Sequence, residues 1–168
     1  KTASSSASGT SRIDGATNPT DLQLVNLVAL AGNAATISGT AGADTFDFTS
    51  TNRRFTIRGV TYDLAAQGAT SFTFHGGPGD AAMLRGNALA ETANLYPLPA
   101  DWTDGSASVT VDGTSQIAFR GSGANDSVNL YGRSTAGVDK VVAYETMVQM
   151  LRDDKSFPYI LISRDHPA

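Results

Sequence analysis

Five acidic residues of the sequence each follow a glycine-containing stretch: Asp44, Asp80, Glu91, Asp126 and Asp139. A carboxylate at such a position can accept backbone N–H groups and close a turn, or it can be an oxygen ligand of calcium. Calcium requires about six to eight oxygens, and consecutive acids are 36, 11, 35 and 13 positions apart. The spacing therefore favours turn hydrogen bonds, with metal binding at these five residues as the second interpretation.

Three aromatic residues are candidates for binding carbohydrate: Trp102, Tyr96 and Tyr62. Exposed aromatic rings can stack on the face of a sugar. Trp102 is the only tryptophan and lies in the loop-like stretch LPADWTDG. A tryptophan in this setting more often covers an edge of the fold, and we favour that interpretation.

The sequence contains few residues of the types that usually act in catalysis. There is no cysteine, and the two histidines are His75, which takes the place of an arginine in a repeat, and His166 near the end. A pair of aspartates could be the catalytic carboxylates of a glycosidase or a polysaccharide lyase. The sequence pattern does not indicate which two aspartates would face a common site. We therefore expect no enzyme and no cofactor other than calcium.

The composition excludes two classes of partner. The net charge is −4 and no basic cluster is present, whereas nucleic-acid binding requires clustered Lys and Arg. No apolar run approaches the roughly 18 residues that span a bilayer. Charged residues make up 17% of the chain, against about 25% in typical domains, which favours many short strands over long surface helices.

The chain contains an internal repeat. Arg85–Tyr96 aligns with Arg120–Tyr131 without a gap, and both end in Asn-Leu-Tyr. Further copies are Arg133–Tyr144, Ser38–Asp47 and, after one deletion, His75–Leu84. In several copies apolar and polar residues alternate after the acid, which is the pattern of a half-buried strand. Such strands cannot bury one face alone, so we expect neighbouring copies to stack.

The copies GTAGADTFD and GSGANDSVN resemble degenerate hemolysin-type (RTX-like) calcium-binding repeats. They are also similar to the Gly-Asp-Thr-Phe repeats of large secreted bacterial surface proteins of the planctomycete kind, over about Ile37 to Tyr144. The resemblance implies a right-handed β-helix, an extracellular or cell-surface location, and calcium held between consecutive turns. The spacing departs from the nine-residue period of the calcium family, which leaves Asp44 and Asp126 without an adjacent repeat.

We predict an all-β chain that forms a right-handed parallel β-helix, or solenoid, with a short N-terminal capping segment. A propeller-like or sandwich arrangement of four-strand repeats is the alternative. We expect a flexible linker or arm over 1–17 and a single repetitive domain over 18–168. Within that domain we expect a cap over 18–33, repeats over 37–144 and a C-terminal cap or tail over 145–168.

The predicted function is that of a non-catalytic extracellular structural or adhesive module of a cell-surface or filament protein. Its partners would be further copies, bound through its ends, or neighbouring repeats of a larger chain. The strand-like stretch Phe157–Ile162 is a candidate for such contacts. A carbohydrate- or calcium-binding module is the alternative, followed by a polysaccharide-degrading enzyme.

Overall fold

The computed structural model describes residues 3–5, 11–13, 27–96, 99–123, 125–132, 139–144, 147–152 and 160–164. These residues form short strands and one short 3-10 helix (Ser50–Asn52). The strands are β1 (Ala3–Ser5), β2 (Ser11–Ile13), β3 (Val28–Ala31), β4 (Ala34–Ser38), β5 (Thr45–Thr49), β6 (Arg54–Ile57), β7 (Val60–Asp63), β8 (Ser71–His75), β9 (Ala81–Arg85), β10 (Thr92–Leu95), β11 (Ala100–Thr103), β12 (Ser108–Asp112), β13 (Gln116–Arg120), β14 (Ser127–Leu130), β15 (Asp139–Tyr144), β16 (Met147–Arg152) and β17 (Ile160–Arg164).

Two mixed sheets hold nearly all of these strands. Sheet I has seven strands in the order β14-β10-β11-β12-β8-β4-β3, and sheet II has eight in the order β15-β16-β17-β13-β9-β5-β6-β7. Neither sheet closes on itself. The prediction of an all-β chain is confirmed. The finer prediction of a parallel β-helix is not shown by this topology, because antiparallel hairpins interrupt the parallel ladders in both sheets.

Parallel ladders join strands that are far apart in the chain. In sheet I, β4, β8 and β12 pair in parallel, with Ile37 opposite Phe74 and Phe74 opposite Val111. In sheet II the parallel ladder runs through β5, β9, β13 and β17. A third parallel pair joins β10 to β14, with Asn94 opposite Asn129. Successive segments of the chain thus each add one parallel strand to these ladders.

The core lies between the two sheets and is built by alternation along the strands. Phe46 and Phe48 of β5 are fully buried, and their rings contact Phe74 and Phe72 of sheet I at centroid distances of 4.8 and 5.0 Å. The intervening Asp47 is only partly buried. The same alternation places Ala93 and Leu95 of β10 and Val109 and Val111 of β12 inside. The apolar face of each strand is therefore buried against the sheet opposite.

One repeat-based prediction differs from the observed topology, and one predicted contact segment is described in part. The copy at Arg133–Tyr144 was expected to stack like the copies before it, but its described part, β15, lies at an edge of sheet II and pairs antiparallel with β16. The stretch Phe157–Ile162 was a candidate for contacts with another chain. Its described residues belong to β17, which pairs with β13 on one side and β16 on the other. The backbone of β17 is therefore already paired within the chain.

The N-terminal predictions fall partly outside the described residues. Of the cap expected over 18–33, the structure describes 27–33, where β3 forms an antiparallel edge strand against β4. Residues 18–26 lie outside the described part. Within the segment 1–17, predicted as a linker or arm, β1 and β2 pair as a two-stranded antiparallel sheet.

Candidate functional site: the turn carboxylates

Four of the five predicted acids occupy the same local position, directly before a strand. We call them the turn acids: Asp44 before β5, Asp80 before β9, Glu91 before β10 and Asp126 before β14. The first three are buried and Asp126 is partly buried. The carboxylate of each turn acid accepts a backbone N–H from the start of its own turn; the donors are Thr40, Gly77, Asn87 and Gly123 respectively. Each carboxylate therefore closes the turn that leads into its strand.

The turn acids are also joined in pairs across adjacent repeats. The backbone N–H of Asp44 donates to Oδ1 of Asp80 at 2.7 Å, and that of Glu91 donates to Oδ1 of Asp126 at 3.2 Å. One oxygen of the later acid thus serves its own turn and the other serves the preceding repeat. The sequence predicted the turn contact but missed the contact between repeats. The contact between repeats could have been found from the spacing of the paired acids. The two acids of each pair are 36 and 35 positions apart, which equals the sequence offset between the parallel strands that follow them.

Glycine is required where the carboxylates pack against the turn backbone. A Cβ added at Gly86 would lie 1.7 Å from Oε2 of Glu91, and one added at Gly123 would lie 2.8 Å from Oδ1 of Asp126. Such approaches are far inside van der Waals contact. The missing side chains of Gly86 and Gly123 therefore leave the space into which these carboxylates fit.

Glu91 differs from the other turn acids in its electrostatic environment. Burial raises the pKa of Glu91 to about 7; the N–H of Asn87 opposes this rise, and the charges of Asp126 and Asp104 add to it. Its Oε2 has no hydrogen-bond partner among the described residues. Asp104 is held nearby by the side-chain amide of Asn87 at 2.9 Å. Glu91 is thus a buried acid with a substantial neutral fraction at neutral pH.

The fifth predicted acid, Asp139, is the first residue of a strand rather than the residue directly before one. It begins β15, where its backbone lies opposite Arg152 of β16 in sheet II. The structure describes only the backbone of Asp139. Within the described ranges, no group of three or more His, Asp or Glu residues is arranged to hold a metal ion. The prediction of calcium at the five acids stays a prediction, and the oxygens of the turn acids are largely used by hydrogen bonds.

The three predicted carbohydrate-binding aromatics lie apart. Trp102 is on β11 rather than in a loop, is 1% exposed, and packs on Phe48 at a centroid distance of 5.6 Å. Tyr62 stacks on Phe55 at 5.0 Å. Tyr96 stacks on Tyr131 at 4.2 Å, just beyond β10 and β14. The Trp102 ring is part of the core, so these three residues do not form a common sugar-binding surface.

The histidine and the charged side chains on the outer faces form pairs between neighbouring strands. Nδ1 of His75 lies 2.8 Å from Oδ2 of Asp112, its partner across the β8–β12 ladder. Arg85 makes two hydrogen bonds to Asp47, at 2.7 and 2.8 Å. These contacts are cross-strand pairs, which stabilise sheets modestly. His166 lies outside the described residues.

A cleft of about 430 Å³ opens beside the first turn acid. The residues that line it are Ala43, Asp44, Thr45, Asp47, Thr56, Arg58 and Gly59. Nε of Arg58 lies 3.5 Å from Oδ1 of Asp44, and Nη1 of Arg58 donates to Oγ1 of Thr40 at 2.8 Å. The cleft therefore combines a buried carboxylate with a half-exposed guanidinium.

Comparison with known proteins identifies no relative of the chain. No protein-family model, curated protein or solved structure matches the chain. Among the described residues, no helix is long and apolar enough to cross a bilayer. The resemblance to hemolysin-type and Gly-Asp-Thr-Phe repeats therefore stays a prediction from the residues, and the function is argued from the geometry.

Proposed function

We propose that the chain is a non-catalytic structural module of an extracellular or cell-surface assembly, and that it associates with further copies of itself through its two ends. The extracellular location rests on the resemblance of its repeats. The self-association rests on the distribution of exposed apolar side chains, which is the observation that carries the proposal.

The architecture that we propose is a stack of repeats of the solenoid kind, with hairpins inserted between the stacked strands. Its support is the parallel pairing of β4, β8 and β12, of β5, β9 and β13, and of β10 and β14. The hydrogen bonds between paired turn acids join the same repeats at their turns. Stacked repeats bury their faces against neighbours and leave unsatisfied surfaces at the two ends of the stack.

The exposed large hydrophobic residues of the described chain concentrate at those ends. Leu30 is 42% exposed on β3, and Val60 is 52% exposed on β7. These strands are the edges of sheets I and II on the side of the first repeat. On the other side, Tyr131 follows the edge strand β14, and Val148 lies on β16 next to the edge strand β15. The remaining exposed residue, Leu89, lies in the turn before β10.

A second copy of the chain is the partner that fits both ends. Val28, Val128 and Leu130 pack only partly against the core, at the two opposite edges of sheet I. A copy placed against an edge would continue the strand ladder and cover these side chains. Because the two ends differ in sequence, the contact is heterologous, and such contacts build open chains rather than closed dimers unless the rotation closes a ring.

Sedimentation velocity over a range of protein concentrations tests this proposal. We expect species larger than the monomer at high concentration, and a large loss of them in the double variant Leu30→Thr, Val60→Thr. Leu89→Thr is the matched control, since it removes an equally exposed apolar side chain that lies on a turn rather than a sheet edge. A wild-type chain that stays monomeric at high concentration contradicts the proposal, as does equal assembly of the double variant.

A further inference from the structure

Two tyrosine rings lie face to face at the end of the parallel β10–β14 ladder. Tyr96 and Tyr131 directly follow Leu95 and Leu130, which are opposite each other in this ladder. The backbone N–H of Tyr131 donates to the carbonyl of Leu95 at 2.9 Å, so the register extends to the tyrosines. Their ring centroids are 4.2 Å apart and the ring planes differ by 11°. The fold therefore holds two phenols from different repeats in contact.

The hydroxyls of the two tyrosines lie on the same side of the stack. Residues opposite each other in parallel strands project their side chains from the same face of the sheet, which aligns the two rings hydroxyl to hydroxyl. Desolvation raises the pKa of Tyr96, and the neighbouring hydroxyl of Tyr131 adds to the rise. The ring carbons ortho to the two hydroxyls are therefore neighbours as well.

The pair is open to solvent and differs from the other described tyrosine side chain. Tyr131 is 39% exposed and Tyr96 is partly exposed. The ring of Tyr62 stacks instead on Phe55, which has no hydroxyl. Among the side chains that the structure describes, Tyr96 and Tyr131 are thus the one pair of phenols in ring contact, and a small oxidant in solution can reach them.

We propose that Tyr96 and Tyr131 are a site of oxidative modification, at which the two rings are joined as a dityrosine. A one-electron oxidant of the peroxidase class removes one electron and the phenolic proton from each residue. The two phenoxyl radicals pair to form a single bond between their ortho carbons, and the hydrogen on each of these carbons then moves as a proton to the phenol oxygen. The net loss of two electrons and two protons reduces one hydrogen peroxide to two water molecules.

The bond fastens a strand that the ladder holds on one side only. Among the described strands, β14 pairs with β10 alone and forms an edge of sheet I. The chain has no cysteine with which to form a disulfide. A covalent link between distant segments stabilises a fold mainly by restricting the unfolded chain, and a dityrosine provides such a link. Because both tyrosines belong to one chain, the reaction does not depend on the assembly of copies.

Oxidation of the dilute protein with a haem peroxidase and hydrogen peroxide, followed by trypsin digestion and mass spectrometry, tests the proposal. Trypsin gives the peptides 86–120 and 121–133, in which Tyr96 and Tyr131 respectively are the only tyrosines. From the monomer band of a denaturing gel we expect a linked pair of these peptides, with the summed mass less two hydrogens. A missed cleavage between them gives the summed mass less one water and is thereby distinguished.

Tyr131→Phe and Tyr62→Phe are matched variants, because each removes one phenolic hydroxyl and keeps the ring. We expect Tyr131→Phe to lose the linked peptide pair completely, whereas the yield in Tyr62→Phe should equal that of the wild type. Free tyrosine in a parallel reaction shows that the oxidant is active. The proposal is overturned if the wild-type chain forms no linked pair under conditions that couple free tyrosine. It is also overturned if dityrosine forms only between chains or only at other tyrosines.

Discussion

Oδ1 of Asp80 accepts the backbone N–H of Asp44 at 2.7 Å, although the two residues are 36 positions apart. The other oxygen of the same carboxylate accepts the N–H of Gly77 at 2.7 Å and closes the turn before β9. One side chain therefore fixes both the shape of its own turn and the position of the preceding repeat. Glu91 and Asp126 repeat this relationship before β10 and β14.

Asp80→Ala is expected to destabilise the fold by about 3 kcal/mol, because it leaves the N–H groups of Asp44 and Gly77 without their acceptor. Both bonds are charge-assisted, which makes them stronger than neutral ones. Urea denaturation measures the free energy of unfolding. Asp101→Ala is the control, since Asp101 is exposed and accepts a single bond from Asn94; its expected cost is below about 1 kcal/mol. Equal costs for the two variants would show that the bridge between repeats contributes nothing special.

Gly86→Ala tests the packing of a carboxylate against its turn. The new Cβ would lie 1.7 Å from Oε2 of Glu91, so either the acid or the turn must move. We expect a loss of at least about 2 kcal/mol in the free energy of unfolding. At Gly42, by contrast, the nearest atom to a new Cβ is Oγ1 of Thr40 at 3.9 Å. Gly42→Ala should therefore change stability by less than about 1 kcal/mol, and a comparable loss there would contradict the interpretation.

Thermal unfolding with and without calcium distinguishes the proposed structural function from the alternative, a calcium-binding module. A ligand that binds only the folded state raises its stability in proportion to the logarithm of ligand concentration over the dissociation constant. Because hydrogen bonds already occupy most oxygens of the turn acids, we expect the same thermal midpoint in millimolar calcium and in chelator. A calcium-dependent rise in the midpoint that is lost in Asp126→Asn would favour the alternative.

The sequence was most informative where its pattern was local. Alternation after the acid in the copy Arg85–Tyr96 correctly predicted a strand with one buried face, β10. The acids before β5 and β9 were correctly placed in turns. Both features depend on neighbouring residues, whose side chains alternate between the two faces of a strand.

Sequence similarity did not predict which strands would pair. The copy at Arg133–Tyr144 resembles the earlier ones, yet β15 pairs antiparallel with β16 instead of extending the β10–β14 ladder. Pairing depends on contacts between distant segments, which a local pattern does not record. Trp102 was assigned to a loop because of the turn residues around it, but those signals belong to the turn at Asp104 and Gly105, directly after β11.

We expect the protonation of Glu91 to make the free energy of unfolding depend on pH. Its pKa is raised by burial from 4.5 to about 7 in the folded chain, so folding favours the protonated form. The stabilisation from that proton is complete below the unfolded pKa, declines as pH rises from about 4.5, and is lost above about 7. We expect the free energy of unfolding to fall by about 2 kcal/mol between pH 5 and pH 8.

Glu91→Gln isolates this contribution, because the amide has the shape of the neutral acid and no proton to lose. Its carbonyl oxygen can still accept the N–H of Asn87, as Oε1 does in the wild type. We expect the variant to be more stable than the wild type at pH 8 and to lose most of the decline between pH 5 and pH 8 in urea denaturation. Asp101→Asn, an exposed carboxylate on the neighbouring strand β11, should leave the decline in place. A decline of the same size in Glu91→Gln would assign it to another group, because the protonated Glu91 would then make no measurable contribution to folding.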